Sequence, residues 1–238
     1  MTSASFASDV RGLRGRERAA AHRAAPEPVA VREFVIRLLD VVLAATAVVL
    51  LAPLLVGIAL AIQLTSPGPA IFRQVRVGHQ QRTFEMYKFR TMHHRCDDSL
   101  HRDFVTRMFE GDDPRMTAGD GLYKLQADPR VTRVGAFLRR TSLDELPQLV
   151  NVLRGEMSLV GPRPSLPWEV PLFHERHLRR FDVKPGITGL WQVEGRNRLT
   201  MQEALELDVH YVSRRSLGLY ISILGRTLPA ALLDREAR

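Results

Sequence analysis

A run of 22 uncharged, mostly apolar residues at positions 41–62 constrains this chain more than any other feature of its sequence. A helix rises 1.5 Å per residue, so the run would extend for about 33 Å and cross a hydrocarbon core of roughly 30 Å. A secretory signal is a poor match, because the run begins about 40 residues into the chain and is longer than the apolar region of a signal peptide. A buried core helix would need a domain wrapped around it on all sides. The run therefore predicts that the protein is attached to a membrane.

Pro53 lies near the middle of the run, where it removes a backbone donor and clashes with the preceding helical turn. One interpretation is a kinked helix that crosses the bilayer, since membrane helices tolerate proline. The other is a re-entrant helix of two halves, about 12 and 9 residues long, that bends at Pro53 and leaves through the leaflet it entered. Arginines and lysines flank the run on both sides, whereas a spanning helix would show an asymmetry. The charges therefore favour the re-entrant form.

The composition on either side of the run divides the chain into three regions. Residues 1–30 are rich in Ala, Arg and Ser and lack apolar periodicity, which predicts a disordered basic tail. Residues 31–65 form the predicted membrane helix, which a Pro-Gly-Pro sequence ends. Residues 66–238 form the predicted cytoplasmic catalytic domain, in which the polar stretch 97–130 is an insertion or a lid.

Local periodicity predicts the elements of that domain. Residues 70–75 and Thr83–Phe89 are strand-like, whereas from residue 131 onward apolar residues recur at helical spacing. The predicted fold class is therefore α+β. An N-terminal re-entrant membrane helix broken at Pro53 is followed by a compact, mainly helical catalytic domain with a small sheet and interfacial amphipathic helices.

Charge narrows the classes of partner without choosing among them. The chain has 34 Lys and Arg against 26 Asp and Glu, and its net charge of +8 indicates phosphates, nucleic acid or acidic lipid. Trp168, Phe173 and Phe181 are interleaved with basic residues, a mixture that a helix lying on anionic lipid explains better than a nucleic-acid face. Arg37 and Asp40 stand three residues apart just before the apolar run, and we expect them to pair at the membrane interface.

Two adjacent carboxylates, Asp144 and Glu145, stand in the segment with the most chemistry, residues 139–164 (RRTSLDELPQLVNVLRGEMSLVGPRP). They have two interpretations, and the residues alone leave both open. In the first, an S-x-x-E pattern forms a capping box, and the acidic residues favour the start of a helix. In the second, the carboxylates are catalytic, because nearby Arg139 and Arg163 suit a site that binds phosphate while a carboxylate or a metal acts at phosphorus.

This segment is one of several motifs that occur in order along most of residues 36–212. The stretches are IRLLD (36–40), the proline-broken apolar run, SPGPAIFRQVRVG (66–78), YKFRTM (87–92), SLDELPQLVNVLRGEMSLVGPRP (142–164), KPGITGLWQVEGRN (184–197) and ELDVHYV (206–212). Together they resemble the bacterial sugar transferase family, the monotopic polyprenyl-phosphate sugar-1-phosphate transferases. A shared order of seven stretches is more specific than any single motif.

The resemblance implies transfer of a sugar-1-phosphate from a UDP-sugar to a membrane polyprenyl (undecaprenyl) phosphate, with release of UMP, as the initiating step of exopolysaccharide or glycan assembly. It implies Mg²⁺ as cofactor, a helix hinged at Pro53, and a location at the cytoplasmic face of the bacterial inner membrane. The expected partners are the UDP-sugar, the polyprenyl phosphate and the bilayer, with a homodimer as a candidate and nucleic acid excluded. The alternative function is a membrane-tethered basic module that binds anionic lipid or nucleic acid without catalysis.

The resemblance also implies roles for individual residues. Asp144 matches the nucleophile that forms a phosphosugar-enzyme intermediate, and Glu145 completes the dyad and helps with the metal or with protons. The same two carboxylates are the implied metal ligands. The implied phosphate-binding residues are Lys88, Arg90, Arg139, Arg163 and Arg196. A carboxylate nucleophile divides a difficult transfer into two steps, and cations stabilise the oxygens at phosphorus.

Overall fold

The computed structural model describes residues 29–93, 99–110, 128, 130–195 and 199–233. Its helices are α1 (Val29–Thr65), α2 (Ser99–Glu110), α3 (Arg133–Thr141), α4 (Gln148–Arg154), α5 (Leu190–Glu194), α6 (Met201–Arg214) and α7 (Leu217–Leu233). Its strands are β1 (Ile71–Val77), β2 (Thr83–Phe89), β3 (Ser158–Val160) and β4 (Gly186–Thr188). Short 3-10 helices lie at His79–Gln81, Leu143–Glu145, Val170–Leu172 and Glu175–Asp182. The predicted mixture of helices with a small amount of sheet is confirmed. Residues 1–28 of the predicted tail lie outside the described residues.

Helix α1 is 37 residues long and contains Pro53 in its interior. The sequence predicted a break at this proline, and the structure has a single helix that continues past it, because the loss of one backbone donor does not by itself end a helix. The helix is long and apolar enough to cross a membrane, and only 11% of its most apolar stretch is buried, unlike the core helix of a soluble protein. The chain divides into two units after Val35, and residues 29–35 are the described part of the first unit.

Within the second unit, Ile36–Arg238, the buried residues of α1 lie toward its two ends. They are Ile36, Asp40, Ala44, Ile58 and Ile62. The last two join a hydrophobic cluster with Ala70, Phe89 and Leu138, which follow α1 in the chain. No residue of the stretch 45–57 is buried. Both ends of the apolar run are therefore packed within the same unit, whereas its middle is uncovered.

The two small sheets have different topologies. β1 and β2 form an antiparallel hairpin in which Ile71 lies opposite Phe89. β2 has the predicted bounds, and β1 replaces the predicted strand at 70–75 with a slightly later one. β3 and β4 are parallel, with Ser158 opposite Gly186, and are separated in the chain by the long connection that contains the 3-10 helices.

The aromatic segment predicted to lie on lipid is instead part of the interior. Phe173 and Phe181 are both buried, and their ring centroids are 6.1 Å apart. The guanidinium of Arg180 lies 5.1 Å from the centroid of Phe173, so this cation is buried against the rings. The prediction was wrong because the alternation of aromatic and basic residues records only that one face is apolar, and here that face packs against protein.

The predicted lid at 97–130 contains a helix, α2. Its Val105 and Met108 are buried, and the ring of Phe109 lies 5.5 Å from that of Phe173. Residues 111–127 and 129 lie outside the described residues. The helix is therefore packed on the domain, and the role of the segment as a lid stays a prediction.

Candidate active site

The adjacent carboxylates lie on a tight turn between two helices. α3 ends at Ser142, which adopts a left-handed conformation with φ 55°, and the 3-10 turn Leu143–Glu145 follows directly. Helix α4 begins only at Gln148, with Pro147 as its N-cap. The Ser142 side chain accepts no capping hydrogen bond from the described backbone of this turn. The capping-box interpretation is therefore wrong, because Ser142 does not cap the turn and the N-cap of α4 is Pro147.

The turn holds Glu145 and Asp144 close to basic side chains. The Nζ atom of Lys88 lies 2.9 Å from Oε1 of Glu145, and both side chains are largely buried. Asp144 itself is buried. Burial lowers the pKa of Arg139, and the charge of the nearby Asp144 carboxylate opposes this shift. Strand β2 and helix α3 thus bring two predicted cations to the predicted dyad.

An open cavity with an empty volume of about 250 Å³ adjoins this turn. Its lining residues are Arg76, Met86, Lys88, Glu145, Gln148, Arg163, Pro164, Gly186, Ile187 and Gln192. Three predicted site residues, Lys88, Glu145 and Arg163, therefore share one cavity. Asp144, which precedes Glu145 in the chain, is buried and is not among the lining residues. The arrangement joins carboxylates to cations, which suits reactions at phosphorus.

Sequence analysis missed three polar lining residues, Arg76, Gln148 and Gln192. Arg76 is buried on β1, where its Nη1 donates to the backbone oxygen of Pro164 at 3.1 Å and its Nη2 to Gln74 at 2.6 Å. Its position in the SPGPAIFRQVRVG stretch was visible, but the sequence showed it only as one of several charges flanking the apolar run. Gln148 directly follows the DELP sequence, but an uncharged side chain at one position does not by itself indicate a site.

A buried ion pair supports the loop that carries Arg163. Arg180 and Asp208 are 2.7 Å apart, and each side chain is only 2% exposed. Arg180 also donates to the backbone oxygen of Arg163 at 2.9 Å and to Oγ of Ser165 at 2.9 Å. Burial raises the pKa of Asp208 to about 6, although Arg180 acts in the opposite direction. The ELDVHYV stretch on α6 therefore acts on the cavity by holding this loop in place.

Asn151 on α4 fixes β2 against the turn of the dyad. Its Oδ1 accepts from the backbone nitrogen of Tyr87 at 3.0 Å, and its Nδ2 donates to the backbone oxygen of Glu85 at 2.6 Å. The fully buried side chain thus bonds to the strand edge as another strand would. Because Lys88 follows Tyr87 on β2, this contact sets the position of Lys88 relative to Glu145.

Three predicted phosphate-binding residues, Arg90, Arg139 and Arg196, are not part of the described cavity lining. Arg90 is buried, and its Nη2 donates to the backbone oxygen and to Oγ of Ser66, both at 2.8 Å. It holds the turn that follows α1, and the described lining of the cavity does not include it. Arg196 lies outside the described residues. The phosphate-binding roles of the three arginines stay predictions.

The predicted membrane-interface residues bind the catalytic elements. Arg37 donates to the backbone oxygens of Val152 and Leu153 at the end of α4, at 2.6 and 2.9 Å. Asp40 is buried, and its Oδ1 accepts from Ser158 and from the backbone nitrogen of Leu159 on β3. The sequence predicted a pair between Arg37 and Asp40, and the structure gives each a different partner. Both residues thereby connect α1 to the segment that begins with the dyad.

The donor set at the dyad fits Mg²⁺ in its chemistry. Mg²⁺ binds oxygen ligands and usually takes one or two carboxylates together with substrate phosphates. Asp144 and Glu145 supply two such carboxylates beside the cavity. Within the described ranges there is no group of three or more His, Cys, Asp or Glu residues that could hold a metal ion. The residues are therefore suited to a metal shared with a phosphate substrate.

Comparison with known proteins gives a consistent set of matches. The family model described as bacterial sugar transferase matches residues 31–234. The exopolysaccharide production protein ExoY of Rhizobium meliloti (strain 1021) is 40% identical over 199 residues, covering 84% of this chain and 86% of ExoY. The UDP-glucose:undecaprenyl-phosphate glucose-1-phosphate transferase of Caulobacter vibrioides is 43% identical over 209 residues, covering 84% of this chain and 71% of that protein. The galactosyl transferase CpsE of Streptococcus agalactiae serotype III is 44% identical over 173 residues, but the match spans 72% of this chain and only 36% of CpsE.

Proposed function

The chain belongs to the bacterial sugar transferase family, as its motifs predicted, and we propose that this enzyme transfers a sugar-1-phosphate from a UDP-sugar to undecaprenyl phosphate with release of UMP. The observation that carries the proposal is the cavity that brings Lys88, Glu145 and Arg163 together beside the buried Asp144. The name of the Caulobacter vibrioides relative states this reaction for glucose. The name of ExoY supports a role in starting exopolysaccharide assembly.

In the first step of the proposed mechanism, an oxygen of Asp144 attacks the phosphorus that carries the sugar. The bond from this phosphorus to the bridging oxygen breaks, and UMP leaves with the electron pair. The product is a phosphosugar-aspartate intermediate. In the second step a phosphate oxygen of undecaprenyl phosphate attacks the same phosphorus, and Asp144 leaves as a carboxylate. A covalent intermediate lets one soluble and one lipid substrate use the same site in turn.

The cations of the cavity stabilise the charge that spreads over the phosphoryl oxygens. Arg163 and Lys88 both line the cavity. Arg180 holds the loop that carries Arg163, and the ion pair with Glu145 holds the side chain of Lys88, which comes from β2. Arg139 does not line the cavity, but it is near enough to Asp144 for the charge of that carboxylate to act on it. Mg²⁺, if held by Asp144 and Glu145, would neutralise part of the charge of the diphosphate. Because Lys88 is held by its ion pair and the loop of Arg163 is held by Arg180, these two cations need little reorganisation when substrate binds.

We also propose that α1 is re-entrant and that both of its ends lie at the cytoplasmic face of the inner membrane. Ile36 and Asp40 near one end and Ile58 and Ile62 near the other are buried in the same unit, whereas the stretch 45–57 is uncovered. A helix that crossed the bilayer would bury only one end in a domain on one side. Large exposed side chains such as Leu50 and Val56 lie in the uncovered stretch and are suited to contact lipid. Pro53 lies in the same stretch, where a bend disrupts the fewest contacts.

The reaction is tested by measuring UMP release from a panel of UDP-sugars, with the protein in nanodiscs that contain undecaprenyl phosphate and Mg²⁺. Asp144→Asn should abolish turnover, because an amide is a poor nucleophile, and should lower kcat by on the order of 10⁴-fold or more. Asp182→Asn, at an exposed carboxylate, is the matched control and should keep full activity. A folded Asp144→Asn protein with full turnover would refute the assigned nucleophile.

The topology is tested separately by labelling cysteines from each side of the membrane. Single cysteines are introduced by Ser5→Cys and Ser213→Cys in a Cys96→Ser background. The re-entrant arrangement predicts that both positions react with an impermeant reagent from the cytoplasmic side. Reaction of the two from opposite sides would contradict it and would favour a spanning helix.

A further inference from the structure

Gln148 is a buried residue whose side-chain amide has no hydrogen-bond partner within the described part of the chain. The residue is 3% exposed and lines the cavity next to Glu145. Its side chain forms no hydrogen bond with any residue in the described ranges. Its amide atoms are not among the fully buried side-chain atoms that lack a partner, so the amide opens into the cavity, where water or a ligand can bind it. The position therefore points to a ligand that completes the hydrogen bonds of the amide.

The chemistry of the neighbouring side chains restricts that ligand. Arg76, Lys88 and Arg163 can only donate, and an ionised Glu145 can only accept. The amide of Gln148 can do both, through Nε2 and Oε1. The oxygens of a diphosphate only accept at neutral pH, so they satisfy Nε2 and leave Oε1 without a donor. A ligand that satisfies the whole amide must itself carry a group that both donates and accepts, such as a hydroxyl.

The position of Gln148 selects among the hydroxyl-bearing parts of a UDP-sugar. The residue begins α4, three positions after Glu145, and so stands close to the reacting phosphorus of the proposed function. In the donor, the sugar is joined to that phosphorus through a single oxygen. The pyrimidine base lies beyond a second phosphate and the ribose, and is therefore farther from the dyad. The sugar is the nearest part of the donor with free hydroxyls.

We propose that Gln148 binds a hydroxyl of the transferred sugar and contributes to the choice of that sugar. This inference rests on the proposed function and adds a contact that the charged residues of the cavity do not provide. A site that hydrogen-bonds a substrate hydroxyl discriminates strongly against an analogue that lacks it, because the buried polar group is then left unsatisfied. Gln148 has the burial and the bonding capacity for such discrimination.

The test compares Gln148→Met with wild type on UDP-glucose or UDP-galactose, whichever releases more UMP, and on the monodeoxy analogues of that donor. Methionine keeps the length of the side chain and removes the amide. Gln202→Met is the matched control, because Gln202 is exposed on α6. The readouts are kcat/KM for each donor, the inhibition constant of UMP, and the midpoint of thermal unfolding. Gln148→Glu is the second variant, which keeps an acceptor and loses the donor.

We expect Gln148→Met to lower kcat/KM for the parent sugar by about 10- to 100-fold and to abolish its preference over one monodeoxy analogue. Gln148→Glu should weaken the same preference, and inhibition by UMP should not change in Gln148→Met. The unfolding midpoint of Gln148→Met should stay close to that of wild type, since the substitution breaks no hydrogen bond within the described residues. The Gln202→Met control should match wild type in every readout.

Three results would overturn the inference. Preservation of the parent sugar's preference over every monodeoxy analogue would show that the amide does not contact a sugar hydroxyl. Weaker inhibition by UMP, by the same factor as the loss of kcat/KM, would assign the amide to the nucleoside. A lower unfolding midpoint with a uniform loss on all donors would assign it a structural role. A wild-type protein that releases UMP from neither donor would overturn the proposed function, and this inference with it.

Discussion

Asp40 is the residue through which α1 is most firmly joined to the catalytic elements. Its buried Oδ1 accepts three hydrogen bonds: from Oγ of Ser158 at 3.0 Å, from the backbone nitrogen of Leu159 at 2.7 Å and from the hydroxyl of Tyr220 at 2.8 Å. Burial, followed by the Asp40 charge, raises the pKa of Tyr220 far above its usual value, so this hydroxyl stays protonated and donates. One carboxylate oxygen thus links α1, β3 and α7.

Replacement of Asp40 by alanine leaves three buried donors without their acceptor. Each unsatisfied donor costs about 1–3 kcal/mol, and because the three share one site the total is about 3–5 kcal/mol rather than their sum. For a protein of this size that corresponds to an unfolding midpoint lower by about 6–20 °C. Asp40→Asn keeps an oxygen acceptor and loses the charge, so its loss should be about 1–3 kcal/mol.

The assay is thermal unfolding of the purified protein in nanodiscs, followed by intrinsic fluorescence, to which the buried Trp191 contributes. Asp182→Ala, at an exposed carboxylate, is the control and should change stability by no more than about 0.5 kcal/mol. Tyr220→Phe removes one of the three donors, so the double variant Asp40→Ala/Tyr220→Phe should lose less than the sum of the single variants. If the stability losses of the two single variants were strictly additive, or if the Asp40→Ala midpoint were as close to wild type as that of the control, Asp40 would not join α1 to β3 and α7 as described.

Three further predictions concern Asp208 on α6, Gly161 beside the cavity and Gly218 on α7. The pKa of Asp208 in the folded protein is about 6, above its ordinary value of 3.8, so its contribution to stability is full below about pH 4 and is lost as the pH rises through 6. Between about pH 5 and pH 7 the unfolding midpoint of Asp208→Asn should therefore fall less than that of wild type. An equal fall in the two proteins would contradict the assignment. A Cβ on Gly161 would meet the backbone oxygen of Lys184 and lie 2.9 Å from the backbone nitrogen of Gly186, so Gly161→Ala should destabilise the protein by about 1–3 kcal/mol and reduce UMP release. Gly218→Ala should stabilise α7 by about 0.5–1 kcal/mol, because nothing lies within 4 Å of the added carbon. Thermal unfolding checks both glycine variants, and a destabilised Gly218→Ala or a neutral Gly161→Ala would contradict the packing described.

Local patterns in the sequence were sufficient for several elements. The alternation in residues 83–89 gave the bounds of β2, because a strand places successive side chains on opposite faces whatever it packs against. The apolar run predicted a long helix with little burial, and the order of the motifs predicted the family. The strand and the helix depend on the pattern or composition of one continuous stretch of residues, and the family depends on the order of the motifs along the chain. None of these conclusions requires knowledge of which distant residues are in contact.

Such local patterns do not predict which residues are buried by distant parts of the chain. The same alternation of aromatic and basic residues fits a helix on lipid and a helix against a protein core, and only packing shows that Phe173 and Phe181 are interior. The capping box failed for a similar reason, because the tight turn at Ser142 and the neighbouring Pro147 override the local preference of an S-x-x-E pattern.

The sequence by itself therefore determined an apolar helix, the strand β2 and a family, and it pointed to a segment of adjacent acidic and basic residues. The tertiary structure decided which residues meet. Asp40 was expected to pair with Arg37 three positions away, and it bonds instead to Ser158 and Tyr220, which are 118 and 180 positions away. Arg76 likewise lines the cavity because β1 packs against the loop that contains Pro164, which is 88 positions away in the chain. The physical reason is that a buried polar group takes whichever partner the packed interior places within hydrogen-bonding distance, and separation along the chain has no part in that choice.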